Sequence, residues 1–107
     1  MMIEKNNFLQ QIKMKIAQQD ALADVILFGS RARNTPNADS DWDFLILTND
    51  NNVSRQKEQF IRHALLEIEI ETGQPISVFV ISKSDWENKY LFSPFYKNII
   101  REGKLLE

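Results

Sequence analysis

The residues best able to do chemistry lie close together in the first half of the chain. Gly29-Ser30 is followed by ten residues, Arg31 to Ser40, and then by Asp41-Trp42-Asp43. Glycine lets a backbone come close to a phosphate. Ser30 adds a hydroxyl and an N–H. Arg31 and Arg33, in the same loop, are suited to bidentate contact with phosphate oxygens. Asp-x-Asp at the start of a strand puts both carboxylates on one face, about 7 Å apart along the chain by the rise per residue. Such a pair repels itself unless a cation lies between. Mg²⁺ suits that place, because it is commonly held by one or two carboxylates together with substrate phosphates. Gly-Ser alone fits a plain turn, and Asp-x-Asp alone fits solvated acids. The two joined in one strand–loop–strand unit point to a phosphate cradle beside a metal clamp.

The elements that position these residues can be read from the hydropathy pattern. Phe8, Leu9, Ile12, Ile16 and Ala17 recur at helical spacing and predict a helix over about residues 4–19. Val25 to Phe28 reads as a short strand buried on both faces and ended by Gly29. Residues 30–40 are rich in turn formers. Trp42 to Thr48 reads as the second strand, with Trp42 and Phe44 facing a core. Asn52 or Ser54 caps a helix over about 53–71, which Gly73 stops. Pro75 to Ile81 reads as the third strand. Ser82 or Ser84 caps a short helix. Ser93-Pro94 opens a last helix that ends at Gly103, and Leu105-Leu106 packs back as a tail. The expected fold class is α+β, a small mixed sheet with helices on one face, formed by residues 1–107 as a single domain.

Composition narrows the functional classes. The chain has 107 residues, 43% hydrophobic and 26% charged, with a net charge of −2. That mix is ordinary for a folded protein and lacks the excess of Lys and Arg that a nucleic-acid backbone binder needs. No apolar run approaches the roughly 20 residues of a membrane helix. There is no cysteine, and the start lacks a signal-peptide pattern, which agrees with a cytoplasmic location. His63 is the single histidine, so a multi-histidine metal site is excluded. It fits the polar side of its helix.

The Gly29-Ser30, ten-residue, Asp41-Trp42-Asp43 pattern resembles the signature of the DNA polymerase β-like nucleotidyltransferase superfamily. The run Gly29-Ser30-Arg31-Ala32-Arg33 with Ser40-Asp41 is similar to its minimal, free-standing prokaryotic members. The resemblance spans nearly the whole chain and implies that family's palm-like fold. It implies an NTP, usually ATP, bound with its phosphates near Gly29, Ser30, Arg31 and Arg33. It implies two Mg²⁺ ions on Asp41 and Asp43, which would also be the catalytic residues. The reaction implied is transfer of an NMP to a hydroxyl. A HEPN-type helical partner in a toxin–antitoxin pair is the implied partner; an apolar patch at the C-terminal aromatic residues would instead favour a homo-oligomer. Nucleic-acid polymerisation ranks below both.

Two positions depart from the family pattern. Asn34 stands where glycine is common. Ser77 stands where the third strand commonly carries a further carboxylate, a metal ligand or general base. Glu69, Glu71 and Asp85 are the alternative acids, though each also fits a helix end or cap. Ser77 motivates the alternative reading of a catalytically weakened module that binds a partner. Lys83 is within chain reach of a triphosphate or else a solvated lysine. Trp86, Tyr90, Phe92, Phe95 and Tyr96 form an aromatic group suited to a base, a partner or a core.

Overall fold

The computed structural model describes residues 5–33 and 40–107. The expectation for Asn34 lies outside the described residues. The chain runs α1 (Lys5–Gln19), β1 (Asp24–Phe28), β2 (Trp42–Thr48), α2 (Arg55–Thr72), β3 (Ile76–Ser82), α3 (Lys83–Asn88), α4 (Pro94–Glu102) and β4 (Lys104–Leu105). The strands form one mixed sheet in the order β3-β2-β1-β4. β2 is antiparallel to β1 and parallel to β3, and β4 is antiparallel to β1. The parallel pair follows from the intervening helix α2, since a parallel connection needs a crossover.

Local signals account for the helix ends. Ser54 caps α2 by accepting from the Lys57 N–H, and Gly73 ends it in the left-handed conformation at φ 70°. Ser82 caps α3 and Ser93 caps α4, with Pro94 in the first turn. Lys57 ties the start of α2 to Asp20 at 2.9 Å and to Asp50 at 2.6 Å.

Alternation along the strands builds a core on each side of the sheet. Val25, Leu27, Phe44 and Ile46 face Phe8, Ile12 and Ile16 of α1 and Ile61, Leu65 and Ile68 of α2. Both long helices therefore share one face, so the expectation of helices on one face holds for α1 and α2 and not for α3 and α4, whose apolar side chains find the second face of the sheet uncovered. The short helices cover the other. There Phe28, Leu45 and Leu47 meet Trp86 of α3 and Phe95 and Ile99 of α4. Most of the aromatic group is thus core, with Trp86 only 4% exposed; Phe92, 72% exposed, projects outward at φ 64°. The tail packs back: Leu106 N–H donates to the Val25 carbonyl at 2.8 Å.

Candidate active site

Antiparallel pairing sets Phe28 opposite Asp43. Gly29 therefore turns away directly beside the Asp43 carboxylate. Its φ is +76°, and a Cβ there would collide with the Asp43 carboxylate oxygen. Two independent reasons thus demand glycine: the left-handed backbone and the lack of room. The Gly29 carbonyl accepts from the N–H groups of Ala32 and Arg33, which curls the next residues into a turn. Gly29→Ala is expected to cost about 1–2 kcal/mol from the left-handed backbone alone. It would also displace Asp43, so denaturant unfolding should show lower stability and titration with nucleotide a weaker affinity.

Parallel pairing sets Ser77 of β3 next to Asp43 on the other side. Register partners in a sheet share a face, so Asp41, Asp43 and Ser77 project together. The Ser77 hydroxyl donates to Asp41 Oδ2 at 3.4 Å, a long bond. Trp42 turns to the opposite face, packs against Phe8 at 4.8 Å between ring centroids with the rings tilted by 46°, and donates from its indole N–H to Gln74. This fixes the start of β2 from behind.

The loop arginines divide. Arg31 donates from Nε and Nη2 to the Ser40 carbonyl and lies over the Trp42 ring at 4.4 Å. Its guanidinium clips the two ends of the loop together on the Trp42 side of the sheet. Arg33 lies on the Asp43 side, where Nη1 meets Glu102 Oε2 at 2.8 Å. Ser30 is half-buried at the head of the turn.

Glu102, the last residue of α4, is the site residue that sequence reasoning missed. Its carboxylate accepts from the Gly29 N–H at 3.3 Å and from Asn98 Nδ2 at 3.2 Å, besides Arg33. Its side chain is 10% exposed. A signal for it does exist in the sequence. Phe95, Ile99 and Glu102 follow i, i+4, i+7 spacing, so an acid sits on the inward stripe of α4.

The electrostatics follow from this crowding. Burial pushes the Asp43 carboxyl above its ordinary pKa, Asp41 and Glu102 push it further, and Arg33 opposes them. The Arg33 hydrogen bond pulls Glu102 below its ordinary value against the cost of burial, and the Gly29 N–H helps. The centre is therefore a negatively charged corner with one guanidinium beside it. Among the described residues no group of three or more His, Asp or Glu side chains is arranged to hold a metal ion. Asp41 and Asp43 form a pair, which suits a cation completed by substrate oxygens.

The remaining expected residues lie elsewhere. Lys83 bonds the Leu22 carbonyl at 2.6 Å, and Ser82 just before it pairs with Thr48 at the far end of β2. Lys83 and Asp85 are therefore a whole strand away from Asp41 and Asp43. Glu69 accepts from the Ile76 N–H at 2.6 Å, at the α2–β3 junction. Glu71 is exposed. None of the three alternative acids takes the place beside Asp43. His63 is solvent-facing and pairs with Glu67 on its own helix.

The family model for "Polymerase beta, Nucleotidyltransferase" matches residues 10–107. The chain belongs to this family. The polymerase beta nucleotidyltransferase match takes in the whole stretch from Gly29 to Glu102 that forms the site. Among solved structures, one described as a crystal structure of the toxin-antitoxin with AMP-PNP aligns with a TM-score of 0.63 and 16% identity. It covers 92% of this chain and 72% of that one. At that identity the likeness speaks for the fold, which is the mixed-sheet nucleotidyltransferase fold. No curated protein matches the chain.

Proposed function

We propose that the chain transfers an NMP, with ATP the first donor to test, to a hydroxyl of an acceptor. The observation that supports this most is the placement of Asp41 and Asp43 on one face of β2, against the left-handed turn at Gly29. In such a transfer the acceptor oxygen forms a bond to the α-phosphorus. The α–β phosphoanhydride bond breaks and pyrophosphate leaves. The acceptor proton passes to a nearby acid–base group or to water.

The donor set fits Mg²⁺. Asp41 and Asp43 would hold it, as one ion or as two, with substrate phosphates completing the shell. Bound there, it supplies neutralisation of the charge that develops on the attacking and leaving oxygens. The chain's own groups do the rest. The Gly29 N–H and Arg33 hold phosphate oxygens, with Ser30 at the head of the turn. Arg31 acts at one remove by clipping the loop to Ser40 and Trp42. Ser77 orients Asp41 through its hydroxyl. No helix among the described residues is long and apolar enough to cross a membrane. The proposed setting is a toxin–antitoxin pair in which a helical HEPN-type protein is the acceptor.

Incubation with Mg²⁺, the partner protein and ATP labelled on the α-phosphate tests the reading. Label is expected on the partner, and label on the γ-phosphate is expected to leave it unmarked. A second reading has its own support in Ser77, which stands in register with Asp43 where a carboxylate would complete the set. On that reading the chain binds nucleotide and partner without transfer. A stable complex with bound ATP and no labelled partner would favour it.

A further inference from the structure

Three donors converge at the end of α4: the Gly29 N–H, the Arg33 guanidinium and the Asn98 side-chain amide. All three point at one anion, the carboxylate of Glu102, at 3.3, 2.8 and 3.2 Å. We propose that Glu102 is an internal stand-in for phosphate. Its carboxylate fills the slot that a nucleotide phosphate takes, so nucleotide binds only when Glu102 leaves. This rests on the reading of Gly29 and Arg33 as phosphate-binding groups, and it adds Asn98 to them.

The placement of Glu102 is built, not accidental. On its amino side Ile99 is 4% exposed in the core and fixes the rotation of α4. On its carboxyl side the chain turns at Gly103, where a Cβ would run into the Ile99 carbonyl and the Ile26 side chain. Lys104 and Leu105 then pair with Leu27 and Ile26 of β1. Glu102 is thus held between a packed helix and a paired strand, directly across from Gly29. A carboxylate and a phosphate oxygen pair compete for the same donors, because both are planar or tripodal anions that accept charge-assisted bonds from Arg and backbone N–H.

The chemistry of the alternative is less favourable. The alternative is Glu102 as a general base, and a charge partner stabilises the ionised carboxylate and so makes it a weaker base. Glu102 has its carboxylate engaged by an arginine at 2.8 Å. It also adds negative potential at Asp43, where incoming phosphates would have to sit. Removing it relieves both obstacles at once.

The test uses the full chain, with inorganic triphosphate and Mg·ATP as probes in calorimetric titrations. Glu102→Gln keeps an acceptor for the Gly29 N–H and serves as the conservative variant; Glu102→Ala empties the slot. Both are expected to bind triphosphate about tenfold tighter or more, as when the open form is a tenth of the population or less. Added triphosphate should shift the Gly29 amide and Asn98 side-chain amide signals in the wild type, and Glu102→Ala should shift them without ligand. Glu107→Gln, which removes one charge from the exposed end of the chain, is the control for overall electrostatics. Equal tightening by that variant would overturn the proposal. So would wild-type binding that neither Glu102 variant improves. If no form of the chain binds triphosphate or ATP, the phosphate-site reading falls, and this inference with it.

Discussion

Replacing both Asp41 and Asp43 with asparagine is expected to lower nucleotidyl transfer by about 10²-fold or more while making the metal-free protein more stable. The activity figure follows from the several kcal/mol that metal-assisted charge stabilisation contributes, at 1.36 kcal/mol per tenfold in rate. The stability gain has a separate origin. Burial and the neighbouring acids hold the Asp43 pKa above its ordinary value. Ionisation of that group therefore favours the unfolded chain. The penalty is absent below the ordinary carboxylate range, near pH 4, and present in full above the raised value. Asparagine carries no such penalty. Melting curves of wild type and variant should diverge as pH rises through the carboxylate range, the wild type being the less stable at neutral pH. Adding Mg²⁺ should raise the melting temperature of the wild type and leave that of the variant unchanged. Transfer that persists in the double variant would sink the assignment of the site. Opposite movement of activity and stability is the signature that separates a functional pair of acids from a structural one.

Ser77→Asp is the second large effect. Ser77 lies beside Asp43 in the parallel register, with its hydroxyl on Asp41. A carboxylate there would complete a set of three acids on one face. If the chain transfers slowly for want of a base, the change is expected to raise the rate by about 10²–10⁴-fold, the usual contribution of a positioned general base. The cost is repulsion without metal. The variant should melt below the wild type in the presence of a chelator and recover with Mg²⁺. Ser77→Asn, with the same size and no charge, should do neither. An unchanged rate in Ser77→Asp would mean that the site already has its base, or that binding and not chemistry is its work.

The same two strands explain how much could be read in advance. Asp41 and Asp43 share a face because side chains alternate along any strand, and β1 ends at Gly29 because glycine alone takes the left-handed turn there without strain. These are local properties. The helices were legible for the same reason, through the spacing of Phe8, Ile12 and Ile16 and of Ile61, Leu65 and Ile68. So were Ser54, Gly73 and Ser93 at their ends. The Gly29-Ser30 to Asp43 spacing also pointed to the family that residues 10–107 match.

What the sequence by itself determined, then, is the four helices, the first three strands and the pair of carboxylates, because periodicity and capping act over a few residues, whereas β4 (Lys104–Leu105) exists only by its pairing with β1. Only the tertiary structure decided which distant residues surround that pair. Register between β2 and β3 brought Ser77 to Asp43 across 34 positions of chain, the difference between their numbers. The packing of α3 and α4 on the second face carried Glu102 to Gly29 and Arg33, and the parallel β2–β3 direction carried Lys83 and Asp85 to the wrong end. Arg31 and Arg33, two residues apart in one loop, went to opposite sides of the sheet, one onto Trp42 and one onto Glu102. Residue type states what a side chain can do. Sheet order, strand direction and helix rotation state what it meets, and these are set by how two hydrophobic faces are covered at once, which no short stretch of chain records.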